Sequence, residues 1–237
     1  MGSEMCIRDR FKGMRTKDKR ECPIEVPDLS VLKDLTPFHV EVGCGVSIEA
    51  GIPALHNLHE LYRVTDSNTG RFIFGGPQDD LLERLLVSPT REITKLGQLF
   101  AAAFLAEPTQ AHRALLALRD AGLLLTPIMT NNFDGLIHRS GLQEHFLRRY
   151  DEAVPAVEFH PDARSLLVIG SHADRRRVQA RARGRGLPII YLDPEGYWSS
   201  GRFVPYPLEG PKNGDFLCRN TATEGLLDLC TKLGVPV

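Results

Sequence analysis

The stretch GCGVSIEAGIP, residues 43–53, holds the residue types and spacing in this chain most suited to chemistry. Glycines at Gly43, Gly45 and Gly51 are interleaved with Cys44, Ser47 and Ile52 and closed by Pro53, directly after the β-prone run Phe38-His39-Val40-Glu41-Val42. A glycine-rich turn between a strand and a helix suits a phosphate. Amide donors point outward there, the helix dipole favours negative charge, and the missing Cβ atoms let an anion approach the backbone. The plainer alternative is an ordinary tight turn, and a glycine pattern alone does not decide between the two.

Other reactive side chains are less organised. Arg175, Arg176, Arg177, Arg181, Arg183 and Arg185 follow a later turn, but they span more than two helical turns and cannot all face one site. One or two could clamp an acidic ligand bidentately, while the majority read as a solvated face. Without interleaved aromatics they do not read as a nucleic-acid surface, so a nucleic-acid partner is not expected. The five cysteines are scattered, with no Cys-x-x-Cys pair, so neither a metal site nor a disulfide framework is expected.

The elements around these residues alternate strand with helix from Leu35 onward. Phe38 to Val42, Leu123 to Met129, Ser165 to Ile169 and Pro188 to Leu192 read as strands. Helices are expected over PTQAHRALLALRDAG, ending at Gly122, after the turn at Gly170, and from Glu224 to Leu233. Buried apolar strands alternating with helices imply an α/β fold, a Rossmann-like parallel sheet with helices on both faces. Residues 54–107 read as a smaller inserted helical module. Residues 1–10, MGSEMCIRDR, resemble a translated transposase sequencing adapter and are set apart from the fold, and residues 11–34 read as a flexible tail. The domain proper is expected over 35–237. Its 42% hydrophobic and 25% charged content, with a net charge of −1, is ordinary for a globular protein. Without a long apolar run or a signal core, the chain reads as cytoplasmic, with no membrane partner.

Two ordered segments then carry a resemblance to a known family. GCGVSIEAGIP resembles the first signature of the sirtuins, Gly-Ala-Gly-Ile-Ser-x-x-Ser-Gly-Ile-Pro, through Gly43, Gly45, Ser47, Gly51, Ile52 and Pro53. TNNFDGLIHRSG resembles their Thr-Gln-Asn-Ile-Asp-x-Leu-His-x-x-Ala-Gly, through Thr130, Asn132, Asp134, Leu136 and Gly141. Pro108, His112 and Leu115 resemble the family's Pro-x-x-x-His-x-x-Leu helix. Gly170-Ser171 is similar to its Gly-Thr-Ser turn, and LDPEG to its Ile-Asn-x-Glu. The resemblance implies NAD as cofactor, lying between the sheet and a helical module. It implies that the amides of Gly43, Cys44, Gly45 and Ser47 cradle the diphosphate, with Gly51, Ile52 and Pro53 completing the loop. Asn132 and Asp134 would reach the nicotinamide and its ribose, Gly170 and Ser171 would line the phosphate side, and Asp193 would accept from the adenosine ribose. For Asn132 and Asp134 the alternative is a structural turn held by an Asx hydrogen bond.

The resemblance fails where family members carry their catalytic base. The chain has no His-Gly dipeptide, and Ala54-Leu55-His56 stands where the family has Asp-Phe-Arg. Tyr150 falls nearest the missing histidine, with His145 just before it. A neutral histidine suits proton removal near pH 7, whereas a tyrosine does so only if neighbouring cations such as Arg148 or Arg149 lower its pKa. His56, His160 and His172 are further candidates. The family's zinc cysteines are absent too. The resemblance therefore implies cleavage of the nicotinamide–ribose bond, with transfer to an acylated protein or peptide or to water. The alternative is a module that binds NAD or ADP-ribose without turnover.

Overall fold

The computed structural model describes residues 22–52, 101–132, 134–147, 157–174, 176–199 and 201–237. Pro53, His56 and Tyr150, and nearly all of the expected 54–107 insertion, lie outside these residues; within that stretch, residues 101–105 are helical. Seven strands form one sheet in the order β1-β9-β6-β5-β2-β3-β4. They are β1 (Ile24–Val26), β2 (Phe38–Val42), β3 (Ile128–Thr130), β4 (Glu144–Phe146), β5 (Ser165–Ile169), β6 (Ile189–Leu192) and β9 (Phe216–Cys218). Every pairing in this sheet is parallel. A separate antiparallel hairpin joins β7 (Gly196–Ser199) to β8 (Arg202–Pro205). Besides the helical residues 101–105, the described residues include the helices α1 (Gln110–Asp120), α2 (Leu136–Arg139), α3 (Val178–Gly184) and α4 (Ala222–Leu233). The expected Rossmann-like α/β architecture is the one observed.

Strand alternation divides the core into two layers. Phe38, Val40 and Val42 point to one face, where they pack with Leu115 and Leu118 of α1 and Leu226 and Leu229 of α4. Leu166, Val168, Ile189 and Tyr191 point to the other, against Val178 and Ala182 of α3. β5 and β6 are buried along their whole length, as a sheet covered on both faces requires. β2 is equally buried, but its second face presents the polar His39 and Glu41 to the interior.

Two sequence expectations need correction. Residues 22–34, expected as part of a flexible tail, belong to the fold. β1 pairs with β9, and Leu29 and Leu32 are fully buried in the main core. Three-residue β1 carries too little pattern to be legible, and its hydrogen bonds come from a partner almost two hundred residues away. Salt bridges from Arg219 to Glu25 and from Lys232 to Asp28 hold the segment, and the Lys232 hydrogen bond keeps the Asp28 carboxyl well below the usual range. The expected strand from Leu123 to Met129 is broken. Leu123 and Leu125 bond across to Phe38, then the chain interrupts its pairing at Pro127, which has no amide hydrogen, and resumes as β3. Among the described residues, no helix is long and apolar enough to cross a membrane.

Candidate functional site

β2 continues to β3 on one side of the sheet, whereas β5, entered later, lies on its other side. Connections from β2 and β5 thus run in opposite directions, which makes the carboxyl ends of these strands the switch point where doubly wound sheets place their ligand crevice. The two turns that floor it touch backbone to backbone. Gly43 N–H donates to the Ile169 carbonyl at 2.8 Å, and Gly45 N–H to the Gly170 carbonyl at 3.1 Å. A Cβ on Gly45 would stand 2.6 Å from Gly170 Cα, and one on Gly43 would stand 2.6 Å from Ser171 Cα. No side chain fits there, which explains the glycines at 43, 45 and 170 without reference to a ligand.

This geometry corrects one detail of the sequence reading. The amides of Gly43, Gly45 and Ser47, expected to cradle a diphosphate, are engaged by Ile169, Gly170 and the Cys44 carbonyl. The glycines hold two turns together, and an anion must be met largely by other groups. Gly51, at φ 82, closes the short 3-10 turn Ile48–Ala50. Ile52 is buried against Ala103, Ala106 and Leu136, so its side chain fixes the loop onto the helical segment and α2.

The loop after β2 and the loop after β3 face one another. Asn132 Nδ2 donates to the Gly43 carbonyl at 2.9 Å and reaches Ser47 Oγ at 3.2 Å. Ser47 Oγ in turn donates to Asp134 Oδ2 at 2.7 Å, in a buried position. Thr130 Oγ1 ties the base of this cluster, donating to the Val42 carbonyl and accepting from the Asn132 amide, each at 3.0 Å. Asp134 Oδ1 accepts from the Leu136 amide at 2.9 Å, so the Asx turn of the structural alternative is also present. The two carboxylate oxygens of Asp134 thus have different partners, Ser47 Oγ and the Leu136 amide. Arg139 braces the loop from outside, donating to the carbonyls of Asp134, Ala103 and Phe104 at 3.0–3.1 Å.

On the other side of the crevice stand Ser171 and Asp193. Ser171 Oγ donates to Glu41 Oε1 at 3.3 Å, beneath the turn. Asp193 follows β6 and accepts from the Glu195 amide at 2.7 Å, while desolvation pushes its carboxyl up to about 7. Glu41 was not singled out from sequence. Its signal was a lone carboxylate inside an otherwise buried strand.

The candidate bases are less well placed. His145 lies inside β4, opposite Met129 of β3, and so falls short of the edge where Asn132 and Asp134 meet. His160 sits beside His39, whose Nε2 accepts from its amide, and His172 is stacked on Tyr206. His112 is buried at the start of α1, accepts from the Thr109 amide at 3.1 Å, and is lowered to about 4 by burial. The arginine run is partly structural. Arg183 pairs with Asp215, and Arg185 donates to the Phe159 carbonyl at 2.6 Å. Among the described residues, no cluster of three or more His, Cys, Asp or Glu could hold a metal ion.

A parallel sheet with its switch point under crossed glycine turns places the chain in the doubly wound α/β class. Within that class its fold is that of the Sir2 homologues. A triple-mutant Sir2 homologue bound to 2'-O-acetyl ADP ribose aligns with a TM-score of 0.57 at 18% identity, over 87% of this chain and 96% of its own. A Sir2 homologue in complex with NAD aligns at 0.55 and 18%, over 91% and 97%. A Sir2 variant with a deacetylated peptide and 3'-O-acetyl ADP ribose aligns at 0.54 and 15%, over 87% and 97%. No protein-family pattern and no curated protein matches the sequence.

Proposed function

We propose that this chain binds NAD across the carboxyl edge of its sheet and cleaves the nicotinamide–ribose bond. The observation that carries the reading is the closed chain Gly43–Asn132–Ser47–Asp134, which joins the two loops on one side of the crevice. The side chains present fit a dinucleotide. Asn132 Nδ2 is committed to the protein, and its Oδ1 accepts no hydrogen bond from the described residues, which leaves it for a ligand N–H or O–H. Asp193 is a desolvated carboxylate at a strand end, suited to the paired hydroxyls of a ribose. Solved structures of the same fold hold NAD or ADP-ribose derivatives.

NAD supplies an activated glycosidic bond whose nicotinamide leaves with the bonding pair. Asp134, held on both oxygens by Ser47 and the Leu136 amide, contributes fixed negative charge where positive charge develops on the ribose. Asn132 orients the leaving half. Acceptors are water or the amide oxygen of an acyl-lysine, and Tyr150 is the group to test as proton acceptor.

The second reading, a sensor of NAD or ADP-ribose without turnover, is favoured by two observations: the sequence has no His-Gly dipeptide, and His145 falls short of the edge. A single experiment separates them. Purified protein is given NAD with and without an acylated peptide, nicotinamide is measured, and binding is followed by calorimetry. Release that falls roughly 100-fold in Asn132→Ala supports the enzyme. Binding without release makes it the sensor, and the absence of binding refutes both.

A further inference from the structure

A single hydrogen-bonded chain runs from the half-buried Arg183 through the interior to the Ser171 turn, and its direction is fixed by chemistry. At its far end Arg183, half-buried and paired with Asp215, donates to Tyr191 Oη at 2.9 Å. A guanidinium only donates, so the Tyr191 oxygen accepts and its own hydrogen goes elsewhere. That hydrogen is donated to Gln179 Oε1 at 2.8 Å. With Oε1 taken, Gln179 presents its amide nitrogen to Glu41 and donates to Oε2 at 2.9 Å. Oε2 of Glu41 is therefore always an acceptor. Accepting at Oε2 favours Oε1 as the oxygen that carries a proton on Glu41, and Oε1 lies 3.3 Å from Ser171 Oγ.

We propose that Glu41 is a positioning residue whose proton sets the direction of the Ser171 hydroxyl and so couples anion binding at the crevice to pH. Ionised, Glu41 draws the Ser171 hydrogen down to itself and presents a hydroxyl lone pair to the ligand. Protonated, it donates from Oε1 to Ser171 Oγ, and the hydroxyl hydrogen turns toward the crevice. The proposal rests on the reading that a diphosphate lies over this turn. Desolvation pushes the Glu41 carboxyl up to about 7, with Asp174 raising it further while Gln179 and Ser171 oppose. The exchange therefore falls in the neutral range.

Other titratable groups surround it. Asp174 stands before α3, Arg183 and Asp215 lie at the far end of the chain, and Tyr191 is held well above its usual range by burial. His39 shares the face on β2, lowered to about 4. His172 follows Ser171 and faces Glu209 across 3.5 Å, and Asp193 titrates at the next strand end. Asp193 imposes a pH dependence of its own, so the difference between wild type and a Glu41 variant is the informative quantity.

The test is calorimetric titration of ADP-ribose, which has the diphosphate and no nicotinamide to lose, across neutral pH. Wild-type affinity should fall about tenfold as pH rises through neutrality, the scale of one hydrogen bond to a charged group. Glu41→Gln, whose amide donates to Ser171 as the protonated acid does, should hold the low-pH affinity throughout and lose most of that slope. Ser171→Ala should bind weakly with the same reduced slope. Glu41→Gln or Ser171→Ala retaining the full wild-type slope would overturn the proposal, as would a flat wild-type profile. Should Glu41→Gln fail to fold, Ser171→Ala, on the half-exposed turn, decides alone. If ADP-ribose binds to no variant at any pH, the dinucleotide reading itself has failed, an outcome distinct from binding with parallel slopes.

Discussion

Gly45 and Gly170 approach so closely that the smallest side chain is excluded, and this sets a sharp expectation. Gly45→Ala, with a Cβ 2.6 Å from backbone, should lose about 2–4 kcal/mol of stability in urea melts, because the neighbour is main chain and cannot rotate away. A variant as stable as wild type would mean that the turns are not crossed as described. Glu41 makes an expectation of opposite sign. Its folded pKa of about 7 lies above its unfolded value of 4.5, so its stabilisation is complete below pH 4.5 and is lost as pH rises to 7. Glu41→Gln, neutral throughout, should gain on wild type by about 3 kcal/mol over that interval, measured as denaturation midpoints against pH. A constant difference between the two proteins would show that Glu41 ionises normally. Of these residues the glycines, Asn132, Ser47 and Asp134 were legible in sequence, because glycine turns and Asx residues constrain local backbone. Glu41, Gln179 and Tyr191 were not, since the Glu41–Gln179 pairing spans 138 residues and all three depend on a sheet face that no local pattern encodes.

Elements were legible in proportion to their length and apolarity. β5 and β6 announce themselves as runs of buried aliphatics, and α1 and α4 as amphipathic stretches with caps at Thr109 and Thr221. β1, β4 and β9 have three residues each and owe their state to neighbours in the sheet. The corrected tail is the most testable consequence. Leu32 is fully buried against α4, so Leu32→Ala should cost about 3 kcal/mol in urea denaturation, whereas a residue in a true tail would cost nothing measurable. Arg139 gives a second test at this scale, because it bonds the end of the 101–105 helix to the Asp134 loop. Arg139→Ala should raise amide hydrogen exchange in both segments together while leaving β5 protected. Independent responses of the two segments would show that they are not coupled through this guanidinium.

At the scale of the whole molecule, the sheet has the fold of the Sir2 homologues, the loops after β2 and β3 meet, and the sequence contains no His-Gly dipeptide. Its acid response should be balanced. His39 and His112 are buried and lowered to about 4, so their stabilisation is present above pH 6.5 and lost as pH falls to 4. Glu41 and Asp193, both raised to about 7, gain on the same descent. The central claim, that the crossed turns and the Asn132–Asp134 loop form one dinucleotide crevice, is tested most directly by hydrogen–deuterium exchange with and without ADP-ribose. Protection should rise together at residues 43–47, 131–132, 134–136, 170–172 and 193–196. Binding that leaves these segments unchanged, or protects only one side of the crevice, would contradict it.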